Sequence, residues 1–228
     1  MLDEQKPTIK QEISGNTIEP LRVDYKMARN WVHYCRTHHK GYCKLQGPIK
    51  EHTVAGFKLI DCKTRRIVPG SQEFEYVALS YVWGENSART SIRLLPNPAP
   101  RTIEDAIIAT TNLGFRYLWI DRYCISQIDP SEKHHQIARM DRIYADAIVT
   151  IVAAAGEDPH YGLPGVSRTH RHPQPSAVIG KQQLVSSLRS PRDVIMSSKW
   201  ASRGWTFQEA KLSRRAIFFT DDQIFFEC

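Results

Sequence analysis

No stretch of the 228-residue chain approaches the ~18 consecutive apolar residues that a membrane-spanning helix needs. The opening, "MLDEQKPTIK", has no charged-then-apolar progression, which argues against a secretory leader. Cysteine is sparse, with five residues at 35, 43, 62, 124 and 228, an odd number without a dense framework. Free thiols in a reducing compartment, cytoplasm or nucleus, follow. Neither GxGxxG nor a P-loop occurs, which argues against Rossmann-type cofactor use and against NTP hydrolysis through those motifs. Acidic residues are outnumbered, 24 against 31 lysines and arginines, for a net charge of +7. Anionic partners suit that balance, but the basic residues are scattered. The densest run, "SRTHRHPQP" (167–175), carries prolines and no interleaved aromatics, so it reads as a solvated loop and not a nucleic-acid surface.

What is present suffices for one large domain: 41% of residues are hydrophobic and 24% charged. Residues 1–20 are polar and aperiodic and are expected to be a flexible lead, with the domain over 21–228. In "DYKMARNWVHYCRTHH", Met27, Trp31, Tyr34, Cys35 and His38 recur at helical spacing. This predicts a helix from Asp24 with those residues buried, ended by Gly41. "FKLIDC" (57–62) reads as a short strand, and "EFEYVALSYVW" (73–83) as an interior one, because strands buried on both faces stop alternating. A Pro-rich loop leads into a helix over 101–114, with Thr102 as N-cap, Asp105 at the third position and Gly114 at the C-terminal cap. "FRYLWID" (115–121) is the next strand. One helix is expected over 129–147, with Asp129 as N-cap, Pro130 first, Glu132 closing a capping box, and Ile137, Met140, Ile143 and Tyr144 inward. "AIVTIVAAAG" (147–156) is a third buried strand, and the alternation predicts parallel βαβ units. An irregular insertion over about 157–199 carries a weak strand or helix near 178–189. A helix from Ser202 to Lys211 then precedes a hairpin turning at Asp221-Asp222. An apolar strand so near the end suggests the N-terminal part of a longer protein.

Polar residues gather just past the carboxyl ends of two strands: Ser80, Tyr81, Trp83, Gly84 and Glu85 after one, Asp121, Arg122, Cys124 and Gln127 after the other. Open parallel sheets bind ligands in the crevice outside those ends. Asp121 either faces that crevice as an ionisable group or caps backbone N–H groups of the next loop. In "SRGWTFQEA" (202–210), Trp205 and Glu209 share a helix face. A glutamate beside a buried tryptophan needs a partner. In a structural role that partner is Arg203, Lys211 or Arg214; in a catalytic one it is positive charge developing on a substrate. Cys35, His38, His39 and Cys43 put four zinc-type donors into "CRTHHKGYC", with Cys62 able to join them. Their spacing matches none of the usual paired patterns, and one helix cannot turn all of them to one point, so no metal site is assigned. Cys124 with His134 or His135 has the residue types of a nucleophile and base, but no orienting acid is evident.

Three blocks taken together, "YVALSYVWG" (76–84), "YLWIDRYCISQID…QIARMDRIYADA" (117–147) and "SRGWTFQEAKLSRRAIFF" (202–219), resemble the heterokaryon-incompatibility (HET) domain of filamentous fungi. "WVHYCRTHHKGYC", "LIDC", "YGLPGV" and the terminal "FFEC" agree in order. The resemblance implies a cytosolic effector of cell death when genetically different fungal cells fuse, often the effector end of a longer receptor. Its partners would be a receptor module or further copies of itself. HET domains are also held to be distant relatives of TIR domains, which implies a flavodoxin-like, mostly parallel α/β sheet flanked by helices. "YVALSYVWG" is similar to the TIR first-strand motif with its Ser-Tyr pair, here Ser80 and Tyr81. "WASRGWTFQEA" is similar to the TIR segment whose tryptophan is followed, four residues on, by the glutamate that cleaves the nicotinamide–ribose bond of NAD. The matching residues are Trp205 and Glu209. The resemblance thus implies Glu209 as the catalytic residue and Ser80, Tyr81, Trp83, Asp121, Arg203 and Trp205 around the substrate. NAD enters as substrate, with no tightly bound cofactor. "LWIDRYCISQ" has no close TIR counterpart, and many TIR domains assemble without catalysis. A non-catalytic signalling module stands beside the enzyme for that reason.

Overall fold

Asp24 starts the first helix, α1 (Tyr25–His38), by accepting the Met27 amide at 3.0 Å. In the computed structural model, which describes residues 17–44, 54–71, 73–84 and 93–228 (without the side chains of 205–208), α1 buries Ala28, Val32 and Cys35. Met27, Tyr34 and His38 face outward and Trp31 is half-buried, so the expected face is rotated. Small side chains on the seam let the helix seat closely, and the larger ones flank it. A 3-10 turn, Gly41–Cys43, follows. The chain continues through β1 (Lys58–Asp61), β2 (Ile67–Pro69), β3 (Tyr76–Ser80), α2 (Arg101–Asn112), β4 (Tyr117–Ile120) and the short α3 (Asp121–Cys124). Next come α4 (Pro130–Ile137), α5 (Met140–Asp146), β5 (Val149–Ala153), β6 (Ser176–Ile179) and β7 (Gln182–Val185). The last elements are α6 (Pro191–Met196), α7 (Gly204–Leu212), β8 (Ala216–Phe219) and β9 (Ile224–Glu227).

Seven strands form one sheet in the order β2-β1-β4-β3-β5-β8-β9. The inner four, β4, β3, β5 and β8, are parallel. They read as continuous apolar runs because both faces are covered. In chain order they stand second, first, third, fourth, the order of flavodoxin-like doubly wound sheets. Antiparallel strands close both edges: the β1–β2 hairpin beside β4, and β9, which completes the expected C-terminal hairpin with β8. Alternation splits the packing. Ile151, Ala153, Ile217 and Phe219 join the main core, whereas Val152, Ala154, Ala216 and Phe218 meet Ile195 and Trp200 on the other side of the same strands. Among the described residues no helix is long and apolar enough to cross a membrane.

Three local expectations need correction. The helix expected over 129–147 breaks at Ala138-Arg139 into α4 and α5. Gln136 holds α4 by donating to the Gly56 carbonyl at 2.7 Å, while α5 reorients to bury Ile143 and Tyr144, and Ile137 is left exposed. Asp129 does cap α4, but Glu132 pairs with Lys58 at 2.8 Å and closes no capping box. At α2, Pro100 holds the cap position, and Thr102 and Asp105 bind the "YGLPGV" loop. Thr102 accepts from the Gly162 amide at 3.1 Å, and Asp105 from the Leu163 amide at 2.8 Å.

The insertion is likewise anchored. Tyr161 donates to Asp221 at 2.5 Å, and Arg189 pairs with Asp222 at 2.9 Å. The Arg171 amide donates to the Pro20 carbonyl at 3.0 Å. Residues 17–20 of the expected flexible lead therefore pack on the domain, and 1–16 lie outside the described residues.

Candidate functional site

Ser80 ends β3, the first of the parallel strands, and is fully buried. Its hydroxyl donates to Glu209 Oε2 in a short hydrogen bond and accepts the Trp200 indole N–H at 2.7 Å. Glu209 stands on α7, which packs against β3, and the Tyr144 hydroxyl of α5 lies against the same carboxylate. Immediately after β4, Asp121 opens α3. Both its oxygens accept the Trp83 indole N–H at 3.0 Å, and Oδ1 also accepts the Arg122 amide at 2.7 Å. Arg203 donates to the Tyr81 carbonyl at 2.7 Å, which brings its charge to both acids. The cluster thus occupies the carboxyl ends of β3 and β4, with β3 bordering the point, between β3 and β5, where the strand order reverses.

Burial raises the Glu209 pKa above the usual carboxylate range, against the pull of Ser80, the Arg203 charge and Tyr144. Asp121 is pushed up to about 8, first by burial and then by the Glu209 charge; the Arg122 amide, Trp83 and Arg203 oppose. Two carboxyls coupled in this way hold a proton between them near neutrality, so the site offers an acid beside a carboxylate.

Ser80, Trp83, Asp121, Arg203 and Glu209 therefore meet. Tyr81 is buried in the core, where its carbonyl accepts from Arg203 and its hydroxyl, pushed well above the usual phenol range by burial and by the Asp121 charge, lies within reach of that acid. The Trp205 side chain and Glu85 lie outside the described residues. Of the bases weighed for Glu209, Arg214 pairs instead with Asp146, at 3.7 Å. Cys124 is no nucleophile: its sulfur is buried against the Ile120 amide at 3.4 Å, and burial pushes its thiol up to about 12. His134 and His135 are exposed. Cys62 packs in the main core, its thiol raised to about 12 by burial and by Asp61, and joins no donor cluster. His38 stacks on Tyr34 at 4.2 Å, whereas Cys35, His39 and Cys43 come together with Cys228.

With that geometry in hand, comparison with known proteins gives a family. Residues 76–209, from the start of β3 into α7, match the model described as heterokaryon incompatibility protein (HET). The chain belongs to the HET family. Heterokaryon incompatibility protein 6, OR allele, of Neurospora crassa is 30% identical over an alignment of 100 residues that covers 37% of this chain and 15% of that protein. The HET chain thus spans a small part of the length of the curated relative it matches. No solved structure matches it.

Two residues of the HET site escaped the sequence reading. Tyr144 was legible only as an inward residue of its helix, and its hydroxyl on Glu209 is a tertiary fact. Trp200 sits in an irregular stretch with no periodicity to mark it, and its one signal was being an isolated aromatic just before "ASRGW".

Proposed function

We propose that this chain is the death-triggering module of a cytoplasmic fungal protein of nonself recognition, and that it acts by hydrolysing NAD to nicotinamide and ADP-ribose. The name of the similar protein supports the first part. One observation carries the second: the Glu209 carboxylate, held by Ser80, lies beside the ionisable Asp121 at the carboxyl ends of the adjacent parallel strands β3 and β4. In the reaction the C1′–N bond breaks, its electron pair leaves with nicotinamide, and positive charge builds on the ribose. The Glu209 carboxylate stabilises that charge. Water adds to C1′ and its proton passes to solvent, while Asp121, protonated near neutrality, shapes the pocket beside Glu209. Trp83 offers a stacking face, and Arg203 and the net positive charge suit the pyrophosphate.

The test incubates the purified chain with NAD, free and crosslinked into oligomers, and follows nicotinamide by chromatography. Release is expected, reduced by roughly a hundredfold or more in Glu209→Gln with unchanged circular dichroism. Full activity in that variant would remove Glu209 from the mechanism. Absence of release under every condition would reject hydrolysis. The alternative is a non-catalytic module acting through self-association, and it draws on the β6–β7 hairpin, a separate two-stranded sheet with Val178, Ile179 and Leu184 exposed. It predicts concentration-dependent assembly with NAD intact and toxicity insensitive to Glu209→Gln.

A further inference from the structure

At the amino ends of β5 and β8, away from the carboxylate site, sulfur and nitrogen donors from distant parts of the chain converge. Cys35 lies on the buried stripe of α1, and His39, one turn on, caps that helix through its amide on the Cys35 carbonyl at 3.2 Å. Gly41, at φ 67°, turns the chain into Gly41–Cys43 and returns Cys43 towards Cys35. From the other end, Phe226 of β9 stacks on Trp31 at 6.0 Å, and Cys228 Sγ reaches 3.3 Å from His39 Nδ1. The four donor atoms all lie within 4.8 Å of one another, and none of the cysteines is in a disulfide. Zinc–sulfur bonds of about 2.3 Å in a tetrahedron put donors about 3.8 Å apart, so small side-chain adjustments close the geometry.

A second observation concerns charge. Arg215 is 2% exposed, and among the described residues its hydrogen bonds end on Cys35 Sγ, at 3.2 Å, and on the carbonyls of Cys43 and Ile148, none on a carboxylate. A buried guanidinium without an anion is costly. Three thiolates around a divalent ion leave one net negative charge, which this guanidinium balances while donating an N–H to a ligand sulfur, as groups that tune metal–thiolate centres do.

We propose that Cys35, His39, Cys43 and Cys228 form a closed Cys3His site for a structural zinc ion that ties α1 to β9. Thiolate and imidazole donors in tetrahedral number select zinc, and with all four positions filled by protein the ion has no open position for catalysis. All four donors lie outside the stretch matched by the family model, so the site is independent of the hydrolysis proposal.

The experiment measures metal in the full chain, purified from zinc-supplemented medium under reducing conditions, by plasma mass spectrometry, then replaces it with cobalt. About one zinc per chain is expected, with cobalt giving the visible absorption of a tetrahedral site and a near-ultraviolet thiolate charge-transfer band. Cys43→Ser and Cys228→Ser should lose the ion on gel filtration. His39→Cys should retain it with a stronger charge-transfer band, which distinguishes ligand loss from misfolding, and His38→Ala should behave as wild type. Wild-type chain that holds no zinc and gives no cobalt spectrum would overturn the proposal. So would Cys228→Ser binding as wild type does, or a disulfide between two of the three cysteines.

Discussion

Ionising Asp121 in the folded chain places a charge where water is excluded and where Glu209 already stands. Its pKa is about 3.9 unfolded and about 8 folded, so between those values the native state binds more protons than the unfolded one. The contribution is fully present below about pH 4 and is lost as pH rises towards 8, at up to about 1.4 kcal/mol per pH unit. Asp121→Asn keeps an acceptor for Trp83 without the charge. Thermal unfolding of both proteins from pH 5 to 9 should therefore show the variant gaining on wild type as pH rises. A difference that stays flat with pH would mean that Asp121 ionises freely. The position of Asp121 after an apolar strand was legible in the sequence, but its coupling to Glu209 was not. Glu209 itself was legible as an acid needing a partner, and the bases near it in sequence were the natural candidates. Its partner is Ser80, 129 residues away, because the bonding of a buried acid follows packing and not chain neighbourhood.

Elements were legible in proportion to how much of their burial shows as periodicity. β3, β4 and β5 stood out because an interior parallel strand is apolar on both faces. The break between α4 and α5 left no such mark, since neither Ala138 nor Arg139 disfavours helix and the cause is the tertiary hold on Gln136. β1 was legible as a short strand, whereas its partner β2 and the exposed β6–β7 hairpin were blurred because too little of either is buried to leave a periodic pattern. Thr102 and Asp105 had the residue types of a cap, yet they serve the "YGLPGV" loop. At Gly162 of that loop φ is 94°, and an added Cβ would lie 2.6 Å from Asp105 Oδ2. Gly162→Ala should therefore cost roughly 2–4 kcal/mol, from backbone strain together with the displaced carboxylate. Urea unfolding with an unchanged slope is the measurement. A loss under about 0.5 kcal/mol, the range of ordinary surface changes, would show that the loop moves away freely.

At the scale of the whole molecule, Arg215 is one of the buried polar links that join the parallel core to its outer elements. Its guanidinium gathers the end of α1, the turn at Cys43 and the carbonyl that precedes β5. Because these segments are far apart in sequence, the link closes the fold around β8 and does not brace any single element. Arg215→Leu would keep the apolar stem and orphan the Cys43 and Ile148 carbonyls in a dry environment. Each such carbonyl costs about 1–3 kcal/mol, a sizeable share of the stability of any domain. Denaturant unfolding should show that loss, and native-state hydrogen exchange should show where it falls. Amides of α1 and of Gly41–Cys43 should exchange faster in the variant, while β3 and β5, held by the sheet on both sides, keep their protection. Uniform acceleration across the chain would instead mean that Arg215 supports the core directly. A variant as stable as wild type would show that its carbonyl partners find other donors.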